Sequence, residues 1–356
     1  MTAQPFETVE QHFSGGRKAY TVSRMLAWLT GLGLLHLLLS VAYARSLDRR
    51  HRVLVDDADV VASVDPLRVV VLGDSHPRNA VYDALLPSAA NLANGGESLV
   101  KSWYRLKWIL ARTDRPIGAV LIQLEPQAFD SWHADYFQPE YVYSRYVPYL
   151  ELGWVRGEPL AYLARWAKAR LAPYTGELRT VGEMWNRERD FRDDLEAERF
   201  STSRSMDEWA QTRAEWHFLG HEVDDPLQLW ALDQILARLE VEGIRPIFVS
   251  YPVSAEYRSA IARMGVVEAW SAALAPVLAD HPGVTWLDYH DVFSGRNDLF
   301  HDPDHVNRAG RQRFTRMLND DLISLGVTPE ESRILPRKGG PAPGVRRVEP
   351  PPPPAR

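Results

Sequence analysis

Two short segments at opposite ends of the chain carry residue types that together could perform acyl transfer. In Val69-Val70-Val71-Leu72-Gly73-Asp74-Ser75-His76, an apolar run stops at a glycine and delivers a serine just before the next helix. A hydroxyl exposed on such a turn, beside unpaired helix N–H groups, is placed to attack a carbonyl and to have the resulting oxyanion stabilised. The competing reading gives Ser75 only the task of capping a helix that starts near Pro77. In Phe300-His301-Asp302-Pro303-Asp304-His305-Val306-Asn307-Arg308-Ala309-Gly310, a carboxylate precedes an imidazole by three residues. Neutral imidazole can take the proton of a serine hydroxyl, and a carboxylate on the other ring nitrogen fixes the tautomer and offsets the charge that forms. Asp302 and His305 have that spacing, which read alone also describes an ordinary turn.

These residues need elements to hold them. Buried parallel strands are predicted at 67–73 (LRVVVLG), 117–124 (IGAVLIQL), 245–251 (RPIFVSY) and 284–289 (VTWLDY), with a weaker one at 89–94 (AANLAN). Helix-like apolar spacing fills 97–112, 226–243, 255–280 and 306–325. Alternating strand and helix predicts an α/β fold, a three-layer α/β/α sandwich on a parallel sheet. In such sheets the site lies beyond the carboxyl ends of the strands, here the loops after residues 73, 94, 124, 251 and 289. Residues 130–225 interrupt the rhythm with an aromatic-rich insertion that includes Trp132, Tyr136, Phe137, Tyr143, Tyr149, Trp154, Tyr162, Trp166 and Trp185. It reads as a helical cap or lid. Its rings could stack on sugars or pack on another membrane protein, although aromatics in such a region ordinarily fill its own small core. The charged run 186–199 reads as a solvated helix or loop.

The chain has 356 residues, 45% of them apolar, enough for a sizeable core. A formal charge of -6 offers no basic field for tracking phosphates and sets nucleic-acid binding aside. With no cysteine, thiol catalysis, disulfides and cysteine-ligated metals are excluded. His217 and His221, followed by Glu222, have helical i, i+4 spacing, but without a further ligand motif neither a metal nor any other cofactor is expected. Residues 25–44 contain no Asp, Glu, Lys or Arg and are long enough for a hydrocarbon core of roughly 30 Å. They read as a retained transmembrane anchor in which His36 is incidental or structural, with a cleaved signal segment ending at Ala42-Tyr43-Ala44 as the alternative. A polar tail over 1–24, a linker over 45–64, the working domain over 65–335 and a disordered Pro-rich tail over 336–356 complete the expected layout. Arg17, Lys18 and Arg24 precede the span, while Arg45, Arg49, Arg50 and Arg52 follow it, a balance that by itself mildly favours a cytoplasmic domain.

Taken together, Gly73-Asp74-Ser75 and Asp302-x-x-His305 resemble the SGNH/GDSL hydrolase superfamily in residue type, order and place on the strand pattern, over roughly residues 65–325 without the insertion. The wording DPDHVNRAGRQRF and the N-terminal apolar segment look most like the membrane-anchored branch with the D-alanyl transfer protein of teichoic acid modification and relatives in polysaccharide O-acetylation. This resemblance implies Ser75 as nucleophile, His305 as general base and acid, and Asp302 as its orienting carboxylate. It also implies an oxyanion site from the Ser75 N–H and that of Gly95 or Gly96 in Asn94-Gly95-Gly96, with Asp74, His76, Asn79 and Asn94 as pocket candidates. The third family block, Gly-x-Asn-Asp, is replaced by Gln123-Leu124-Glu125-Pro126-Gln127; Gln127 is the candidate substitute donor, and losing such a donor costs on the order of a hundredfold in rate. The implied activity is O-acyl, for instance acetyl, transfer to or from a cell-envelope polysaccharide or glycolipid through acyl-Ser75. The domain would be periplasmic or at the cell surface, beside a membrane-bound O-acyltransferase partner. Two alternatives are a hydrolytic carbohydrate or lipid esterase with the same triad, and a catalytically silent envelope scaffold that docks a membrane acyltransferase.

Overall fold

The computed structural model describes residues 10–63, 65, 67–86, 88–174 and 205–330, and also the backbone of 346–347; over 10–20 it describes the backbone alone. Five apolar runs form a parallel sheet: β1 (Leu67–Leu72), β2 (Ala89–Asn91), β3 (Ile117–Gln123), β4 (Arg245–Ser250) and β5 (Thr285–Asp288), in the order β2-β1-β3-β4-β5. Their continuous rather than alternating apolarity follows from burial on both faces. Val70, Leu72, Val120, Ile122 and Phe248 face one core, while Val69, Val71, Leu121, Ile247 and Val249 face the other. A short hairpin, β6 (Phe300–Asp302) with β7 (His305–Val306), stands outside this sheet.

The helices in chain order are α1 (Glu10–Arg50), α2 (Arg52–Ala62), α3 (Ser75–Ala80), α4 (Leu99–Leu110), α5 (Ser131–Ala134), α6 (Glu140–Tyr143), α7 (Tyr149–Arg156), α8 (Pro159–Leu171), α9 (Met206–Phe218), α10 (Pro226–Glu242), α11 (Ala255–Arg263), α12 (Val266–Asp280) and α13 (Arg308–Ser324). The first core is covered by α4, α10, α11 and α12 and the second by α3 and α13, which gives the three-layer α/β/α sandwich. Because β2 and β3 flank β1 on opposite sides, the chain reverses direction across the sheet between β1 and β3. The crevice at their carboxyl ends is where such folds place ligands.

Several segments differ from the sequence reading. The expected polar tail over 1–24 is helical from Glu10, continuous with the apolar run, since an established helix propagates more easily than it nucleates. The expected linker over 45–64 is helical too. In α2, Val53, Leu54, Asp57 and Val60 fall on one buried face, and Asp57 accepts from the Arg105 guanidinium at 2.6 and 3.0 Å. The helical pattern over 255–280 is two helices bent by 79° at Gly265, whose φ of +70° ends the first. Within the segment expected as a disordered tail, Arg346–Arg347 forms β8, antiparallel to β5; the rest of 336–356, and likewise 1–9, Trp185 and the charged run 186–199, lie outside the described residues. The insertion contributes α5 to α9. Among the described residues one helical stretch, Thr21–Arg50, is long and apolar enough to cross a membrane.

Candidate active site

The turn after β1 is built around Gly73. At φ +139° a side chain is strained, and a Cβ there would lie 2.5 Å from Gln123 Oε1 and 2.7 Å from Pro77 Cγ. That lets Gln123 reach in and accept the Asp74 N–H at 2.7 Å. Asp74, not Ser75, caps α3: its Oδ1 accepts the His76 N–H at 2.7 Å. The Ser75 hydroxyl is therefore released from capping and sits 2.8 Å from His305 Nε2.

His305 arrives from the β6–β7 hairpin. Its Nδ1 is 2.9 Å from both Asp302 carboxylate oxygens, and Asp302 Oδ1 also accepts the His305 N–H at 2.8 Å and the Asp304 N–H at 3.1 Å. These bonds place the Nδ1 proton toward Asp302 and turn the Nε2 lone pair to Ser75. The turn is clamped by Asn307, which caps α13 and donates to the Asp298 and Phe300 carbonyls at 2.8 and 3.3 Å. Burial alone would lower the His305 pKa, but the Asp304 and Asp302 carboxylates outweigh it and hold it above the ordinary imidazole value.

Beneath this array lies a charged layer that the sequence reading did not foresee. Asp304 turns away from the Asp302 role: Arg213 Nε on α9 donates to its two oxygens at 2.9 and 3.0 Å, and His76 Nε2 stands 3.4 Å from Oδ2. Burial would raise the Asp304 pKa, but His305, His76 and Arg213 outweigh it and keep it well below the usual carboxylate range. On the other edge of His76, Nδ1 is 2.8 Å from Glu125 Oε2. Burial would favour neutral His76, yet Glu125, Asp74 and Asp304 hold its pKa well above the ordinary value. Glu125 in turn accepts from Gln123 Nε2 at 2.6 Å, Gln127 Nε2 at 2.8 Å and the Tyr251 N–H at 2.7 Å. Burial would raise its pKa, and His76 and His290 reverse the effect so that it stays ionised. The departure in the third block thus serves as a scaffold: Gln123 fixes the serine turn, Glu125 holds Gln123 and His76, and the Gln127 amide is directed at Glu125.

A cavity of about 450 Å³ opens on Ser75, lined also by Asp74, His76, Gly95, Gly96, Gln127 and, from the insertion, Trp132, His133, Tyr136 and Trp216. Asn79 and Asn94 do not line it; Asn94 Nδ2 instead donates to Tyr143 Oη at 3.1 Å. The Asp74 and His76 N–H groups are both taken. Gly95 and Gly96 line the cavity together with Ser75. Of the insertion aromatics, Phe137, Tyr143, Tyr149 and Tyr162 are buried in the first core, continuous with the sheet rather than in a core of their own, whereas Trp132 and Tyr136 stack at 4.7 Å on the cavity wall. A second Asp-x-x-His turn lines the same wall: Asp130 caps α5 and its Oδ2 lies 2.6 Å from His133 Nδ1, a spacing that was open to view in the sequence.

His217 and His221 both reach the cavity, but α9 ends at Phe218, so they do not share a helical face. His217 Nδ1 is 2.7 Å from Tyr257 Oη, and burial pushes its pKa down to about 3. Among the described residues, His76, Asp304 and His305 have ligand atoms within 4.8 Å of one another. Arg213 occupies the Asp304 oxygens and Asp302 the His305 Nδ1, so the group is arranged as an ion-pair network rather than an open coordination sphere.

No family model matches the chain, and no curated protein matches it. Among solved structures it is similar, over 84% of its length and 99% of the other chain, to one from Streptococcus pneumonia whose description names a platelet activating factor, at 12% identity and a TM-score of 0.36.

Proposed function

We propose that this chain is an SGNH-type serine enzyme that transfers O-acyl groups, acetyl being the simplest, to or from a cell-envelope polysaccharide or glycolipid. The observation that carries the reading is the in-line contact of Ser75 Oγ, His305 and Asp302, contributed by segments 230 residues apart. In the first half-reaction Ser75 Oγ attacks the acyl carbonyl while His305 Nε2 takes its proton, with Asp302 steadying the imidazolium. The tetrahedral oxyanion accepts from the Ser75 N–H and from that of Gly95 or Gly96. Its collapse breaks the bond to the leaving alcohol, which receives the proton from His305, and leaves acyl-Ser75. In the second half-reaction an acceptor hydroxyl gives its proton to His305 and attacks the acyl carbonyl, and the acyl–Oγ bond breaks as His305 returns that proton to Ser75.

The stacked Trp132–Tyr136 pair beside Ser75 supports a sugar-bearing ligand, since aromatic faces suit the apolar faces of sugar rings. The apolar helix supports a membrane-anchored enzyme, and the resemblance to the membrane-anchored branch favours an extracytoplasmic domain beside a membrane acyltransferase that loads Ser75. Treatment with a fluorophosphonate probe is expected to label Ser75 in the parent chain and not in Ser75→Ala. An unlabelled parent would favour the silent scaffold. Product mass spectrometry separates transfer from hydrolysis: acyl on a sugar hydroxyl supports the proposal, and free acid alone supports the esterase.

A further inference from the structure

The insertion carries an apolar surface that the active site does not use. Helices α7 and α8 form a tight hairpin: a Cβ at Gly153 would meet Tyr162 Cβ at 2.8 Å and Pro159 Cα at 2.9 Å. Its outer side leaves Trp154, Val155, Leu160, Leu163, Trp166 and Leu171 between 43% and 79% exposed, although the inner residues Leu152 and Tyr162 are buried. A run of large exposed apolar side chains on one helical face marks a surface made to be covered.

What covers it follows from where the hairpin ends. The Leu171 carbonyl lies 2.8 Å from His36 Nε2 and accepts from the Ser40 hydroxyl at 3.5 Å, while Tyr174 Oη lies 2.7 Å from His36 Nδ1. His36 lies well inside the uncharged run of α1, eight residues before Ala44, or about 12 Å below its domain-side end at ~1.5 Å per residue. An amphipathic helix in a membrane interface sinks only ~5–10 Å, so the end of α8 reaches at least that depth. The cations of α8 are paired with the domain although Lys168 and Arg170 stay exposed: Arg165 donates to Glu140 at 3.2 Å and to the Asp135 carbonyl at 2.7 Å, Lys168 lies 3.4 Å from Glu140, and Arg170 donates to the Ser144 carbonyl at 2.9 Å. Trp154 and Trp166 have the amphipathic rings that collect at membrane interfaces.

We infer that the exposed face of the α7–α8 hairpin is immersed in the lipid interface beside α1, a second membrane contact that holds the Ser75 domain down on the bilayer. The inference rests on α1 being the membrane anchor and is independent of the chemistry at Ser75. The occupant is lipid because the helix that carries the face is hydrogen-bonded at its end to the apolar span of α1, whose own side chains are exposed at the same level.

The absence of cysteine makes a clean test available. Single substitutions Leu160→Cys and Leu163→Cys in the full chain carry a nitroxide label, with Leu32→Cys on α1 and Val241→Cys on α10, 80% exposed, as references. The labelled chains are placed in nanodiscs of phosphatidylcholine with phosphatidylglycerol, and collision rates with oxygen and with a water-soluble nickel chelate are measured. At 160 and 163 the oxygen rate is expected to exceed the nickel rate several-fold, as at Leu32, and the order to reverse at Val241. Nickel access equal to that at Val241 means a solvated hairpin and overturns the inference. Low access to both reagents means a protein partner covers the face, and this also overturns it, as does nickel access at Leu32. No arm reads acyl transfer, so failure of the Ser75 assignment would leave the result standing.

Discussion

Replacing Glu125 by glutamine keeps the shape of a fully buried side chain and exchanges one acceptor oxygen for an amide that donates. Oε2 faces Gln123, Gln127 and His76, and Oε1 faces the Tyr251 N–H at 2.7 Å. The better rotamer keeps its oxygen toward the first group and sets its NH2 against the Tyr251 N–H, so one buried donor is left without an acceptor, at about 1–3 kcal/mol. The buried His76 imidazolium also loses the counter-charge on one edge, and unpairing a buried ion costs about 3–5 kcal/mol. Because His76 can shed its proton, these costs overlap rather than add, and a net loss of about 3–5 kcal/mol is expected. At ~2–4 °C per kcal/mol for a domain of this size, Tm should fall by roughly 6–20 °C. Differential scanning fluorimetry of the detergent-purified full chain measures the fall, and proton NMR of the His76 ring should show its pKa descending. A Tm within about 1 °C of the parent with an unmoved His76 titration would refute the claim that this carboxylate holds the floor of the site.

Asp302→Asn should cut kcat by on the order of 10⁴, the effect of mis-setting the imidazole tautomer in serine triads, and a loss under tenfold would show that the carboxylate does not orient His305. Activity through His305 needs the neutral ring, so kcat/KM should rise with pH through a midpoint above about 6.5, because Asp304 and Asp302 hold that pKa up; a midpoint below about 6 would contradict the geometry. In Gly73→Ala the new Cβ must displace Gln123 from 2.5 Å, and a backbone confined to φ +139° adds about 1–3 kcal/mol of strain; a lower Tm together with weakened probe labelling at Ser75 is expected. Burial lowers the Lys101 pKa to about 7, so between pH 7 and its ordinary value the unfolded chain binds the extra proton and stability rises with pH; Lys101→Met should flatten that rise in urea titrations.

The sheet was legible because runs such as Val69-Val70-Val71 and Ala119-Val120-Leu121-Ile122 are apolar without alternation, which only two-sided burial explains. The two ends of the candidate site were legible because glycine, serine and the Asp-x-x-His turn each have a local physical meaning. Glu125 was not, since beyond its neighbour Gln123 a buried carboxylate gains its meaning from His76 and Tyr251, which follow two other strands. Arg213 was hidden similarly in a helix of the insertion whose sequence carries no chemical pattern of its own. The helix over 52–62 had its signal in Val53, Leu54 and Val60, yet the charges around them read as a solvated connector until Arg105 appears as the partner of Asp57.

The stiffness of the collar below the domain has a consequence for reach. A flexible connector of twenty residues would let the serine roam by about 25 Å, from ~5–6 Å × √n for a coil-like chain. Here Tyr43 and Leu47 of α1 are packed with Val53, Leu54 and Val142, and Arg145 grips Asp48, so no such leash exists. On the anchored reading, the catalytic mouth keeps one altitude over the bilayer. Its choice of acceptor then becomes partly a matter of stature: a hydroxyl is modified when its polymer or headgroup presents it at that height, and chemically identical hydroxyls farther out are spared.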